Sequence, residues 1–113
     1  MTIRNLTRKT MIADAVTCAD TPFKRMAGLL GRKAFNAGEA LVITPCQSVH
    51  MFFMKFSMDV IFVDRRGVVA GLCPCIQPFC LSPFFLKARS AIEVPAGTIG
   101  SSQTQIGDTI QIN

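Results

Sequence analysis

The stretch from Ser48 to Gly67 contains His50, the single histidine of the chain, and Asp59, a carboxylate that stands between apolar residues. A neutral imidazole donates from one ring nitrogen and accepts at the other, which suits acid–base chemistry. If a turn over residues 55–58 brings two strands together, Asp59 can orient and polarise His50 as the carboxylate of a catalytic dyad does. The alternative is that His50 is a core histidine bonded to a carbonyl and that Asp59 bonds to backbone amides in the turn.

A cysteine, Cys46, precedes His50 by four residues, a spacing that could serve a nucleophile and its base or a metal ion. Four residues of extended strand span roughly 13 Å, so one zinc ion could reach both only if the intervening residues bend the chain. Cys46 could equally be a small buried hydrophobe. We keep it as a weak nucleophile candidate.

Three further cysteines have the spacing Cys-x-Cys-x4-Cys, which differs from the Cys-x2-Cys of zinc ribbons. They could bind a metal or form a redox disulfide, and the pattern decides neither. We therefore predict no metal site and no cofactor. These residues are Cys73, Cys75 and Cys80.

Two arginines, Arg25 and Arg32, lie seven residues apart in the clearest helical segment of the sequence. They could direct guanidinium groups towards a carboxylate, such as Glu93 or Asp59, or towards a ligand phosphate. The alternative is an ordinary surface role, since most exposed ion pairs contribute little.

The elements that must position these residues are short. Cap residues precede Pro22, apolar residues recur at helical spacing up to Leu30, and Gly31 can end the segment, which predicts one short helix near the N-terminus. Runs rich in β-branched residues, separated by Gly and Pro, predict strands. The predicted strands are residues 11–18, 39–44, 49–54, 59–64, 68–76, 88–94 and 109–112, with a hairpin turn at residues 65–67.

This pattern predicts a mainly β fold, a small β-sandwich or barrel of jelly-roll type with the helix packed on it. The length of 113 residues suits one domain. Residues 1–10 are predicted to be a basic, disordered start, and residues 11–113 to form the single domain.

Composition narrows the classes of function. The net charge is +5, and a basic surface of this kind could attract phosphates or simply be solvated. The chain has neither Tyr nor Trp and no zinc-finger or RNA-binding signature, so we predict no nucleic-acid partner. Charged residues interrupt the longest apolar run, which predicts no membrane span. The odd number of cysteines and the polar start predict a cytoplasmic protein.

Several short motifs follow one another along residues 11–112. They are Thr21-Pro22-Phe23, Arg25, Gly28-Leu29-Leu30, Arg32, Pro45-Cys46-Gln47-Ser48-Val49-His50, Phe53-Met54, Met58-Asp59-Val60-Ile61-Phe62-Val63-Asp64, Gly67-Val68-Val69, Pro78-Phe79, Ile92-Glu93-Val94-Pro95-Ala96-Gly97 and Gly107-Asp108. In this order they resemble domain-of-unknown-function family 192.

The resemblance implies a compact, mostly β domain of sandwich or jelly-roll type with a short helix near its start. It implies no activity, because the family has no established reaction. Many members carry a signal sequence, which this sequence does not show, and the three closely spaced cysteines lie outside the pattern. The family's shared positions, matched here, are Arg25, Gly28, His50, Met54, Asp59, Glu93 and Gly97.

Three hypotheses of function follow. The first is a binding or accessory domain that recognises a small molecule or a protein. The second is an enzyme in which His50 is the general base, Asp59 orients it, and Cys46 or water is the nucleophile. The third is a structural subunit that assembles through the apolar segment Pro83–Leu86. The ligand-binding residues predicted for the first hypothesis are Arg25, Arg32, Met54 and Glu93.

Overall fold

The computed structural model describes residues 1–19, 35–51 and 54–113. Within these residues the chain forms eight strands and one short helix. In chain order they are β1 (Ile3–Asn5), β2 (Thr10–Ala13), β3 (Ala15–Ala19), β4 (Glu39–Ile43), β5 (Met58–Val63), β6 (Val69–Ile76), β7 (Ser90–Pro95), α1 (Thr98–Ser101) and β8 (Ile110–Ile112).

The strands form two sheets, which confirms the prediction of a mainly β fold. The smaller sheet has the order β2-β1-β8, and the larger has the order β3-β4-β7-β5-β6. The barrel and jelly-roll details of the prediction are not supported, because neither sheet closes among the described strands and β3 pairs with β4 in parallel. The helix predicted near the N-terminus lies outside the described residues; α1 follows β7 near the other end of the chain.

The prediction of a disordered start is wrong. β1 is the central strand of the smaller sheet, and both Ile3 and Asn5 are fully buried, while Arg4 between them is exposed. Three residues are too few to show the alternation of apolar and polar residues that indicates a strand. The basic residues that follow made the whole segment resemble a disordered start. Asn5 is a polar residue that can be buried because its side-chain amide donates to Thr104 and Asp108.

The larger sheet is covered on both faces, which explains why every residue of β5 is buried. One face packs against the smaller sheet, and the other packs against residues that include Cys46, Val49, Met51, Met54 and Phe56. Alternate residues of β5 serve the two cores, as the two-residue period of a strand requires. Val60 and Phe62 belong to the second core, whereas Ile61 and Val63 belong to the core between the sheets.

The second core is covered by two irregular segments, residues 46–51 and 79–88, which we call the cover ribbon. The segments run antiparallel and exchange backbone hydrogen bonds, so their polar backbone groups are satisfied without a regular sheet. The strand predicted over residues 49–54 is therefore wrong for its described part. The bonds that join the segments include Phe79 N to Met51 O (2.7 Å), Met51 N to Cys80 O (2.8 Å), Ser82 N to Val49 O (2.9 Å) and Phe85 N to Gln47 O (2.8 Å).

A glycine on β6 seats the cover ribbon against the sheet. The Phe85 ring lies directly over Gly71, where a Cβ atom would overlap the ring. Phe85 also packs on Phe62 with ring centroids 4.7 Å apart. The missing side chain at position 71 thus creates the space that anchors this segment of the ribbon.

A buried polar cluster joins the two ends of the described chain. The Oδ2 atom of Asp108 accepts hydrogen bonds from Asn5 Nδ2 (3.0 Å), Arg8 Nε (3.0 Å) and the Gln105 backbone amide (2.9 Å). Burial raises the pKa of the Asp108 carboxyl, but these hydrogen bonds and the charge of Arg8 outweigh burial and hold the pKa below its ordinary value. The ionised form is therefore the stabilising one.

We expect Asp108→Asn to lower the free energy of unfolding at pH 7 by about 1–3 kcal/mol, since buried donors lose a charged acceptor. A depressed pKa stabilises the fold above the ordinary carboxyl pKa of about 4, and this contribution is lost as the pH falls through the lower folded value. The free energy of unfolding, measured with urea from pH 7 to pH 3, should therefore have a flatter acid limb in the variant, meaning that it falls less as the pH is lowered.

The exposed carboxylate of Asp14 provides the matched control, and Asp14→Asn should leave the acid limb unchanged. If Asp108→Asn leaves both the stability and the acid limb unchanged, the polar cluster does not have the role described here.

Candidate functional site

One end of the larger sheet brings together three segments that are distant in sequence. β7 is antiparallel to both β4 and β5, so its first residues meet the last residues of those two strands. Ser90 pairs with Val63 of β5, and Ala91 pairs with Ile43 of β4. The loops that follow β4 and β5 and the segment that precedes β7 therefore lie side by side.

These segments line an open cavity of about 870 Å³. Two backbone hydrogen bonds hold these segments together, from Cys46 N to Arg89 O (3.0 Å) and from Arg89 N to Val63 O (2.7 Å). We call this cavity the basic groove. The lining residues on which the argument depends are Cys46, Gln47, Arg65, Arg66, Lys87 and Arg89.

The groove carries four basic side chains, all exposed, from Arg65, Arg66, Lys87 and Arg89. Within the described part of the chain none of them pairs with a carboxylate. The one acidic lining residue, Asp64, uses its Oδ1 atom to accept the backbone amides of the β5–β6 turn. The four basic side chains outnumber the single carboxylate, so the groove keeps a net positive charge that can attract an anion.

Asp59 is buried, 1% exposed, and its carboxylate is a structural acceptor. Its Oδ1 atom accepts the Cys75 amide (2.8 Å), and its Oδ2 atom accepts the amides of Gly97 (3.1 Å) and Ile99 (2.8 Å). These bonds fasten the start of β5 to the end of β6 and to the turn that begins α1. Three backbone donors satisfy the buried charge without a side-chain partner.

The predicted pairing of Asp59 with His50 is wrong. Asp59 lies opposite Val94 on the face of the sheet that packs against the smaller sheet. His50 lies in the cover ribbon, half-buried and bridged to Leu81, on the other face. The hydrogen bonds of the Asp59 carboxylate go to backbone amides, as the alternative interpretation held, but those amides are outside the turn over residues 55–58.

The other predicted site residues are scattered. Cys46 lines the basic groove, half-buried, and its thiol donates to the Ser48 carbonyl at 3.0 Å. Met54 is buried in the core under the cover ribbon. Glu93 is fully buried at the centre of β7, opposite Leu41 and Val60. Arg25 and Arg32 lie outside the described residues, so their part in binding stays a prediction.

All five cysteines are free thiols. Burial raises the pKa of the Cys73 thiol, which lowers its thiolate fraction, the form that binds metals and attacks disulfides. Among residues 1–19, 35–51 and 54–113, no three His, Cys, Asp or Glu side chains are grouped as a metal ion would require. No helix in the described ranges is long and apolar enough to cross a membrane.

Sequence reasoning missed the basic groove, because its charges come from two separate segments that meet only in the folded sheet. A signal was nevertheless present. From Arg65 to Ile92 the chain has four basic residues and no acidic one.

A model of domain-of-unknown-function family 192, described as an uncharacterized ACR, matches residues 3–112. The chain belongs to this family. A UPF0127 protein of Thermococcus sibiricus is 38% identical over 94% of this chain and 71% of the relative. A UPF0127 protein of Pyrococcus horikoshii is 34% identical over 85% of each chain. The resemblance noted in the motifs is confirmed, and it assigns no specific function.

Two crystal structures share the fold. A protein of Sinorhizobium meliloti, described as a candidate transcription regulator, matches 97% of this chain and 89% of its own with a TM-score of 0.80 and 17% identity. A protein of unknown function from Novosphingobium aromaticivorans matches 86% of this chain and 74% of its own, with a TM-score of 0.75 and 18% identity. At these identities the likeness shows the family 192 fold alone.

We expect Asp59→Asn to lower the free energy of unfolding by about 2–4 kcal/mol, because buried amides lose a charged acceptor. In a double-mutant cycle with His50→Ala, measured by urea unfolding, the two effects should add within about 0.5 kcal/mol. A coupling energy well above that would restore the His–Asp pair that the structure argues against.

Proposed function

We propose that this member of family 192 is a binding domain that takes a small anionic molecule in the basic groove. The observation that carries the proposal is the set of four exposed basic side chains, none of which forms an ion pair in the described residues and which outnumber the one lining carboxylate. Guanidinium groups present planar pairs of donors that match carboxylate and phosphate oxygens. The cavity volume of about 870 Å³ lies in the range of small-molecule sites.

Binding is favoured over turnover by what surrounds the groove. The enzymatic hypothesis has lost its acid–base pair, because the Asp59 carboxylate is bonded to backbone amides. Among the described residues that line the groove there is no histidine, and Asp64 is occupied in its turn. Cys46 has the one thiol among the described residues that line the groove, and this thiol is hydrogen-bonded to a carbonyl.

The rest of the proposal follows the sequence-based predictions. Arg25 and Arg32 are proposed to add to the binding of the anion, and no metal or cofactor is required. We also propose a cytoplasmic location, because free thiols persist in reducing compartments. The prediction that Pro83–Leu86 mediates assembly stays a prediction.

We expect pyrophosphate or citrate to bind the protein, as measured by isothermal titration calorimetry at low salt. The double variant Arg65→Gln/Arg66→Gln should bind about tenfold more weakly, since two exposed charges at roughly 0.7 kcal/mol each together contribute about 1.4 kcal/mol. Added salt should weaken binding to the unmodified protein, because screening acts on exposed charges.

Arg4→Gln/Lys9→Gln is the matched control, because it also removes two exposed positive charges and neither residue lines the groove. It should bind both anions like the unmodified protein. Equal loss of affinity in the control and in the double variant would show that net charge alone attracts the anion, and the proposed site would be abandoned.

Binding in the groove should also protect the Cys46 thiol from chemical modification. A bound anion should slow alkylation of Cys46 by iodoacetamide, because this half-buried thiol lines the cavity that the anion fills. Alkylation of Cys18, exposed on β3, should proceed at the same rate with and without pyrophosphate. Peptide mass spectrometry separates the two sites, and equal rates at Cys46 in both conditions would contradict binding in the groove.

A further inference from the structure

The cover ribbon presents large apolar side chains to solvent. Of the nine large apolar residues that are exposed in the described parts of the chain, four lie within residues 79–86. A cluster of this kind differs from the single exposed apolar residues that any protein surface carries. The four are Phe79 (61% exposed), Leu81 (67%), Phe84 (63%) and Leu86 (77%).

These side chains project from a fixed backbone. The amides of Phe79, Ser82 and Phe85 donate to carbonyls of residues 47–51, and Gln47 Nε2 donates to the Leu86 carbonyl at 2.7 Å. Phe85, between Phe84 and Leu86, points the other way and packs on Phe62 and Gly71. The exposure of its two neighbours therefore follows from a well-anchored local structure.

Basic residues flank this uncharged segment in the sequence. Residues 67–86 contain no charged side chain, and the pairs Arg65–Arg66 and Lys87–Arg89 flank them. Leu86 belongs to both regions, because it is exposed with the apolar cluster and also lines the basic groove. The apolar cluster and the basic groove are therefore continuous at this residue. We call the two together the apolar–basic face.

We propose that the apolar–basic face docks on an anionic membrane surface. Aromatic and aliphatic side chains beside Lys and Arg are the combination that inserts at a headgroup boundary and is attracted to negative lipids. Much of the ribbon's backbone is bonded internally, so the apolar part offers few directional donors or acceptors. A hydrocarbon boundary needs none, whereas a typical protein–protein interface carries about ten direct hydrogen bonds, so the basic flanks and the apolar cluster together favour a membrane.

The proposal does not depend on the binding of a free anion. Leu81 and Phe84 contribute apolar surface, and neither residue lines the basic groove. Their replacement should therefore remove membrane docking and leave pyrophosphate binding intact, so that the two proposals can fail separately.

Co-sedimentation with vesicles tests the inference. We expect the full chain to sediment with vesicles of equal parts phosphatidylcholine and phosphatidylglycerol, and not with vesicles of phosphatidylcholine alone. Leu81→Ser/Phe84→Ser should weaken binding about tenfold or more, because two large apolar side chains leave the interface. Leu6→Ser/Ile106→Ser removes exposed apolar side chains elsewhere, 46% and 67% exposed, and should bind like the unmodified protein.

Other results overturn the inference. If the unmodified protein sediments with neither vesicle, or if Leu81→Ser/Phe84→Ser binds anionic vesicles as tightly as the unmodified protein, the apolar cluster does not dock on membranes. If sedimentation velocity shows an oligomer that this variant converts to a monomer, and no vesicle binding is seen, a second copy of the chain covers the face. Circular dichroism and urea unfolding of both double variants establish that they are folded.

Discussion

β7 is hydrogen-bonded along both edges, and it runs against both of its neighbours. This single constraint fixes the larger sheet, because β4 and β5 must then point in the same direction although a long excursion separates them. It also places the ends of both strands beside the start of β7, where Cys46 and Arg89 share a backbone hydrogen bond. The basic groove is thus a consequence of strand direction, and it would be lost if either neighbour reversed.

Asp59 shows how a buried charge can organise a fold without taking part in chemistry. Its two oxygens accept three amides from the end of β6 and from the turn before α1, so that one side chain orders three elements at one edge of the sheet. A neutral residue of similar size would leave buried donors unsatisfied. The carboxylate stands out in the sequence for a structural reason, and the charges that can meet a ligand lie at the opposite end of β5.

Much of the sheet could be predicted from sequence. β4, β5, β6 and β7 follow β-branched runs, and Gly67, with a φ of +80°, ends the hairpin turn as predicted. The cover ribbon could not be predicted, because Val49 and Met51 alternate as in a strand while their pairing partner is an irregular, proline-containing segment. Whether His50 and Asp59 contact each other depends on the face of the larger sheet on which each side chain lies. The spacing of the two residues in the sequence does not determine that face. The basic groove could be predicted only from the strand topology, because its charged residues come from segments that are distant in sequence.

Gly71 and Phe85 are separated by fourteen positions, yet the packing of each depends on the other. The ring fills the volume that a side chain on β6 would occupy, and the hydrogen present in its place lets the ribbon approach the sheet. In evolutionary terms the two positions should change together, so that a larger residue at one accompanies a smaller residue at the other. Within family 192, the residues at these two positions should therefore indicate whether a member keeps the cover ribbon at the same distance from the sheet. A changed pair should identify members in which the ribbon packs differently.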